Sequence, residues 1–552
     1  MDVLEGTVEE WYDQVDGLLK ASDFIPGNYE YAINVAYSNP GPFNEGGQTH
    51  VDIGCDRFKI ISLDNSYISL EMEIPITVPR LEQAAGSTTT RFKKFYVGFK
   101  SAFDAIDQYR IYSNTDLIQT QNHANYESYL QYMALSDVAK ENSELYATWD
   151  KIQNFNEDVP GVYIDISTIN ATTGPIEITI PLKLRIPLNQ FLMFANLKWF
   201  PSFFGRLTLE IYPSYKNLVV CPIITSECIE SDETEAENVP AAKVQIKQIT
   251  GFVSDNLATS DVGSNLCGFR QINTPVFAGF NDVTATHVKS PAMAAFTCNT
   301  STTKKCHLRL AETVVRMDVY NQVLSRFINQ PMLFPIQTII SKDLSGKMAN
   351  DVNYKQINQT ITNALNHCNS IFIVFKKSHD DRTCFENPMI KWQVNIDGKY
   401  FPREQYQTYS DHKNINLFLD ATNFNGNGLF SVPNDIYHSL QPFLTSYTYA
   451  ANGNRTETKT FVPKDRSNFA IGIPFCEDDT FQAGIHSGGT VQVELVGSRT
   501  DIFTTMYANS PTGLYVEDCI LKLRSVKPSG EAQIAYTHAT PEQLLSTAVV
   551  AN

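Results

Sequence analysis

Between Gly472 and Ser498 the chain reads GIPFCEDDTFQAGIHSGGTVQVELVGS, with Cys476, the three acids Glu477, Asp478 and Asp479, and His486 close together. A thiolate, carboxylates and an imidazole are the donors that zinc takes, and a carboxylate near a histidine could also move protons. The sequence favours a plainer reading. A metal held in the lumen of a β-sandwich needs two histidines one residue apart, so that alternating side chains face the same way. None of the 10 histidines makes such a His-x-His pair. Ser487 stands in Gly484-Ile485-His486-Ser487-Gly488, which is not the Gly-x-Ser-x-Gly of a nucleophile elbow, and no helix is expected after it. Phosphate-binding and dinucleotide fingerprints are absent. A second metal candidate is Cys298 with Cys306 and His307, two thiols and one imidazole at loose spacing. The 10 cysteines contain no Cys-x-x-Cys and read as reduced, mostly buried thiols. Paired carboxylates for glycoside hydrolysis depend on a three-dimensional separation, so the sequence leaves them open.

The elements that would carry these residues are strands. DRFKIISLDNSYISLEMEIPITVP alternates with period two through Phe58, Ile60, Tyr67, Ile68, Leu70, Met72 and Ile74, broken at Asp64-Asn65. KFYVGFKS, VYIDISTIN, IEITIPLKLRIPL and GRLTLEIYPS repeat the theme, and Pro75, Pro79, Pro181 and Pro187 are expected at strand ends, where a missing N–H is tolerated. Between Asn114 and Ile152 the spacing of Tyr126, Leu130 and Met133, then Leu145, Trp149 and Ile152, predicts one or two inserted helices. Residues 1–25 fit a short amphipathic helix through Trp11, Val15, Leu18 and Leu19. In the second half, NSIFIVFKK reads as a buried strand and MIKWQVNIDGKYFP as a hairpin turning at Asp397-Gly398. SNFAIGIPF, GTVQVELVGS and VEDCILKLRSV complete the strands.

At 552 residues the chain is too long for a single core. Its formal charge of −17 argues against a surface built to neutralise nucleic-acid phosphates. Ser226–Pro240 holds six acids and no base and reads as a solvated boundary. The N-terminus lacks the pattern of a secretory signal and no apolar run is long enough to cross a bilayer, so synthesis as a soluble intracellular protein is expected.

An internal repeat bears on the opening stretch. RIPLNQFLMFANLKWFPSFFGRLTLEIYPS (Arg185–Ser214) also leaves a strand at Ile-Pro, passes a loop and reaches a glycine and an alternating strand. Leu207, Leu209 and Ile211 in one copy match Val491, Val493 and Leu495 in the other. Where the second copy has Cys476 to Asp479, the first has Leu188-Asn189-Gln190-Phe191. A polar loop of a two-copy β-sandwich explains both, and no catalytic, cofactor or metal residue is assigned.

FKKFYVGFKSAFDAIDQYRIYSNTDLIQTQNHANYESYLQYM, IPLNQFLMFANLKWFPSFFGRLTLEIYPS, ENPMIKWQVNIDGKYFPREQY and IPFCEDDTFQAGIHSGGTVQVELVGS, spread from Arg91 to Ser498, resemble double jelly-roll major capsid proteins of the polinton (Maverick) and adintovirus group. Virophage and adenovirus-like capsid proteins are more distant relatives of that lineage. The resemblance implies a mainly β fold of two tandem eight-stranded antiparallel jelly rolls with helices in the loops. It divides the chain into an N-terminal arm (1–30), a first roll (31–230, helical insertion about 115–153), an acidic linker (231–242), a second roll (243–530) and a C-terminal tail (531–552). It implies a non-enzymatic homotrimer, a pseudo-hexameric capsomer tiling an icosahedral virion around double-stranded DNA. Partners would be neighbouring capsomers, a penton protein, minor capsid proteins, a packaging ATPase and a maturation protease. Sequence-specific nucleic-acid binding and a membrane-spanning segment are not expected. The alternatives are a carbohydrate-binding or carbohydrate-active β-sandwich, or a single jelly-roll capsid protein with a large insertion.

Overall fold

The computed structural model describes residues 43–44, 47–54, 59–78, 94–113, 116–165, 175–195, 197, 199–201, 205–223, 269–273, 296–314, 317, 320–322, 324–325, 332–344, 356–361, 368–376, 381–385, 390–396, 399–408, 413–421, 443–449, 455–461, 467–475, 491–497, 511–525 and 534–539. The N-terminal helix expected over 1–25 and the acidic linker lie outside these residues, as does the Cys476–His486 cluster. Arm, linker and tail boundaries therefore stay expectations.

The first half holds β1 (Phe43–Asn44), β2 (Thr49–Ile53), β3 (Lys59–Val78), β4 (Lys94–Gly98), β5 (Ile106–Ser113) and β6 (Asp116–Asn122). Three helices follow: α1 (Ala124–Ala134), α2 (Asp137–Glu141) and α3 (Trp149–Gln153). Then come β7 (Gly161–Asp165), β8 (Ile176–Pro187), α4 (Leu192–Ala195), β9 (Trp199–Pro201), β10 (Leu207–Pro213) and β11 (Val219–Pro222). Two strands, β12 (Arg270–Gln271) and β13 (Thr302–Val314), precede the second half. That half has β14 (Met332–Asp343), β15 (Gln356–Ile361), β16 (Cys368–Val374), β17 (Ile390–Ile396) and β18 (Lys399–Gln407). After α5 (Lys413–Ala421) and the hairpin β19 (Phe443–Tyr449)–β20 (Arg455–Phe461) come β21 (Ile471–Pro474), β22 (Val491–Gly497), β23 (Thr512–Ser525) and β24 (Ile534–Ala539).

Strand order defines the fold. In the second half the sheets run β14-β23-β16-β21 and β15-β22-β17-β18. Counting those eight strands along the chain, the orders are first-eighth-third-sixth and second-seventh-fourth-fifth, the double-sheet winding of a jelly roll. In the first half β2-β10-β5-β6 repeats the second order, and β11-β4-β7 repeats the eighth-third-sixth part of the other. The place beside β11 that a first strand would fill is taken by the two-residue β12. The named strand pairs within both rolls are antiparallel. The fold is mainly β, a tandem double jelly roll.

A further sheet is built from the connections: β13-β3-β8, with β1 at the outer edge of β13 and β9 also on β3. The twenty residues of β3 alternate buried and part-exposed over most of their length, as their sequence predicts, so one face joins the core and the other meets water. Pro75 and Pro181 are not at strand ends but inside β3 and β8, opposite Thr179 and Glu73. Pro181 is tolerated because β8 is the edge of this sheet. The Thr77 N–H donates to Thr297 O, so the nitrogen of Pro75, two residues back, points the same way. It falls between that bridge and Glu73, the last residue paired with Thr302 of β13, where no ladder donor is needed.

The inserted helices number three where the sequence predicts one or two, Leu145 lies in a turn ahead of α3, and the insertion begins later than the sequence suggests. Residues 116–122 form β6, hydrogen-bonded to β5 from Gln108↔Asn122 to Ser113↔Asp116. Their polar DLIQTQN hid a strand with Ile118, Gln119 and Gln121 buried. The internal repeat holds for its closing strands, since β10 and β22 take the same position in their sheets. It fails for the strands that enter: β21 lies inside its roll against β16, whereas β8 belongs to the connecting sheet against β3. The expected hairpin is confirmed by Ile396↔Lys399 in β17–β18, which leaves two residues for the turn.

One hydrophobic cluster runs from Val51 to Val516 through both rolls. Phe200, in β9 opposite Ile61, is 1% exposed, while Trp199 is partly buried against the same core. Gly205 has φ 84°, which a β-carbon disfavours, at the turn that feeds β10. Phe200→Ala should therefore cost about 3–5 kcal/mol in denaturant unfolding through lost burial and a cavity. Gly205→Val should lower the thermal midpoint more than its added volume would suggest, and thermal midpoints within a degree of wild type for both variants would contradict this packing.

Candidate functional site

The sequence candidates for chemistry do not assemble. Cys306 and His307 are neighbours on β13, opposite Leu70 and Ser69, and adjacent strand residues point to opposite faces. The Cys306 thiol is buried, and burial pushes its pKa up to about 12. Cys298 follows Thr297, which bridges to Thr77, seven residues along β3 from the Leu70 that faces Cys306. At about 3.3 Å per residue, that separation is on the order of 20 Å. Cys298 directs its own Sγ to Thr300 O at 3.1 Å. Three such ligands cannot meet one ion.

What the fold does bring together is a polar junction between the rolls, and its centre is Lys100. The strand β4 ends at Gly98, which pairs with Gly161 of β7. A β-carbon on Gly98 would fall 2.4 Å from the Gly161 Cα, and one on Gly161 would fall 2.5 Å from the Tyr96 ring. The two glycines let that ring lie across the ladder, where Tyr96 Oη donates to Phe99 O at 2.9 Å. The chain then turns Lys100 inward. Its ammonium donates to Asn468 Oδ1 (2.6 Å), Ser467 Oγ (3.0 Å), Ser467 O (3.2 Å) and Thr383 O (3.2 Å), all from the second half of the chain. The rings of Tyr132, Tyr129 and Phe269 stand 5.1, 5.5 and 5.5 Å from the nitrogen. Taking an ammonium out of water costs several kcal/mol. Four oxygens and three ring faces offset that cost.

Helix α1 braces this centre. All of its residues are buried, so it is packed on every side instead of amphipathic. Tyr129 Oη donates to Phe469 O at 3.0 Å, and Asn125 Nδ2 to Arg382 O at 2.7 Å. Tyr129 also meets Phe385 edge-on at 4.8 Å. Arg382 returns across the junction to Asp107, 2.6 Å away. On another flank, β6 lies along β14. Gln119 Nε2 donates to Gln337 O (2.9 Å) and Gln121 Nε2 to Ile339 O (3.0 Å). Glutamine amides thus cap carbonyls on the edge of the second roll, a position otherwise open to foreign strands.

Two buried acids complete the network. Glu127 accepts from Tyr109 Oη (2.9 Å) and the Leu192 N–H (3.0 Å), and burial raises its pKa well above the usual carboxylate range. Asp104 closes a capping box with Ser101, accepting from the Ser101 N–H at 3.1 Å. Burial pushes its pKa up to about 7, against the opposing pull of Ser128, the Ser101 N–H and Lys100. A groove of about 470 Å³ opens beside α2 and β8. There Arg185 pairs with Glu144 at 2.9 Å and lies 4.1 Å from the Tyr67 ring. Among the described residues no group of three or more His, Cys, Asp or Glu could hold a metal ion, and no helix is long and apolar enough to cross a membrane.

Sequence reasoning passed over Lys100, Gln119 and Gln121. It took the Tyr126–Leu130–Met133 stripe as packing, which it is. On the other side of that helix Asn125, Glu127, Ser128 and Gln131 would by themselves predict a solvated face, and only the junction with the second half shows them buried.

The arrangement defines a class by its fold, a double jelly roll whose halves are locked by buried polar contacts. No family model and no curated protein matches the sequence. Among solved structures, one similar to this chain is that of the Sputnik virophage, with 8% identity, a TM-score of 0.47 and coverage of 92% of this chain and 89% of that one. The mavirus major capsid protein is similar at 10% identity and a TM-score of 0.46, covering 93% and 91%. The faustovirus major capsid protein aligns at 10% identity and a TM-score of 0.33, over 94% and 97%.

Lys100→Met should destabilise the protein by about 3–5 kcal/mol, since four acceptors lose their donor inside the junction. Urea unfolding measures this, and a change below about 1 kcal/mol would show that the lysine is not a structural tie. The native state holds the Asp104 proton more tightly than the unfolded chain does, so its contribution to stability is present at low pH and is lost as pH rises from about 4 to about 7. Asp104→Asn, which keeps the capping acceptor, should flatten that part of the stability profile; an unchanged slope would place the proton elsewhere.

Proposed function

We propose that this chain is a major capsid protein of the polinton–adintovirus kind, a non-enzymatic building block that resides in the virion after synthesis as a soluble protein. The observation that carries the reading is the repetition of one jelly-roll winding within one chain, tied into a single block through Lys100. A shell subunit must transmit contacts on one side to contacts on the other without hinging. A four-acceptor ammonium and two glutamine bridges supply that stiffness.

Three copies of two similar rolls present six similar walls. A homotrimer of this chain is then a pseudo-hexameric capsomer, able to meet neighbours in six directions with related surfaces. Many modest contacts of this type close an icosahedral shell by avidity. The charge of −17 fits a shell that is filled with double-stranded DNA by a motor and does not condense the genome on its own surface. A penton protein and minor capsid proteins would occupy the vertices and seams. The sequence resemblance set out above supports the same reading.

Light scattering of the purified chain should give three times its 62.0 kDa mass, and electron microscopy should show hexagonal capsomers or closed particles. A monomer at micromolar concentration and neutral pH would overturn the proposal.

A further inference from the structure

β8, β3 and β13 turn one face outward, and register sets its side chains in rows. Pro187, Tyr67 and Arg309 form one row, Arg185, Ser69 and His307 the next, and Lys183, Glu71 and Lys305 the third. Lys183, Arg185, Lys305 and Arg309 are all exposed. Neighbouring strands lie about 4.8 Å apart and alternate residues about 7 Å apart, so the cations on the two outer strands stand about 10 Å from each other across β3. Glu71 lies 3.6 Å from Lys305 and Glu144 2.9 Å from Arg185, and Asp64 and Asp158 line the groove beside Arg185. Lys304 and Glu73, one row further on, pair with each other at 2.9 Å. Lys183 and Arg309 have no carboxylate partner among the described residues. Within these three rows four exposed cations therefore face one strand carboxylate, Glu71, on a chain of net charge −17.

We propose that this face is a contact surface for an acidic surface of a second copy of this chain. Charge complementarity argues for that occupant, because every further copy brings the same excess of acid. A sheet fixes in advance the backbone positions from which its cations project, which suits a protein surface of matching shape. A single-stranded nucleic acid would call for open ring faces on which bases stack. The phenol ring of the array, Tyr67, already has the Arg185 guanidinium 4.1 Å from its centre and that of Arg309 at 5.9 Å. The inference rests on the self-assembling reading above.

The test compares the full chain with Lys183→Glu/Arg309→Glu and with the milder Lys183→Gln/Arg309→Gln. Sedimentation velocity follows association beyond the capsomer from about 0.1 M to about 1 M salt, over which the screening length falls from about 10 Å to about 3 Å. Circular dichroism and capsomer mass check that each variant folds. Wild type should associate best at low salt, and the glutamate variant should need about tenfold more protein for the same association, with the glutamine variant between them. Equal association of all three at every salt concentration would overturn the contact while leaving the capsid reading intact. No self-association of wild type under any condition would remove both. Fluorescence anisotropy with an unspecific DNA duplex supplies the other arm. Loss of DNA binding in the variants together with normal association would reassign the face to nucleic acid and overturn the proposal.

Discussion

An ammonium group buried between two β-sandwiches is tolerable only if protein oxygens replace the water it gave up. Lys100 meets that demand with acceptors from Thr383, Ser467 and Asn468, all more than 280 positions away in the chain. The charge therefore acts as a tie. Separating the rolls would strand a cation on one side and carbonyl oxygens on the other, and such loss is steeper than the loss of equal apolar contact. The helix α1 exists in its buried form because its polar residues find partners on both sides: Asn125 at Arg382, Tyr129 at Phe469, Gln131 at Gln190.

Around that tie the two rolls repeat one winding with different detail. The second describes all eight strand positions; the first describes seven and lends long connections, β3 and β8, to a sheet completed by β13. This connecting sheet is where the chain displays ordered charge, since β3 buries one face and leaves the other to Tyr67, Ser69, Glu71 and their flanking cations. A building block of this design separates its duties. Buried polar contacts hold the halves together, and the exposed strands offer a patterned surface to whatever they meet.

Much of this was legible in the residues. Alternation placed β3, β10 and β22, because a half-buried strand writes its faces directly into a period of two; a continuous apolar run placed β16, and the Asp397-Gly398 turn placed the β17–β18 hairpin. The glycine before β10 announced a turn, and φ at Gly205 agrees. Less legible were segments whose polarity is satisfied at long range. DLIQTQN reads as a loop until its glutamines are seen against β14, and Pro75 reads as a strand end until the gap beside it in the ladder is known.

The sequence by itself determined that this is a β-rich chain in two related halves, with helices inserted between Asn114 and Ile152, an acidic surplus and no spacing that gathers metal ligands or a nucleophile. Those properties follow from local periodicity, composition and neighbour spacing, which need no third dimension. Only the tertiary structure decided that Lys100 is the centre of the junction between the rolls, that β8 lies outside its roll, that Cys298 and Cys306 are far apart, and that cations on β8 and β13 share one face. Each depends on which strands are neighbours in space. Strand pairing is fixed by the closure of the whole sheet, so no single stretch of sequence carries it.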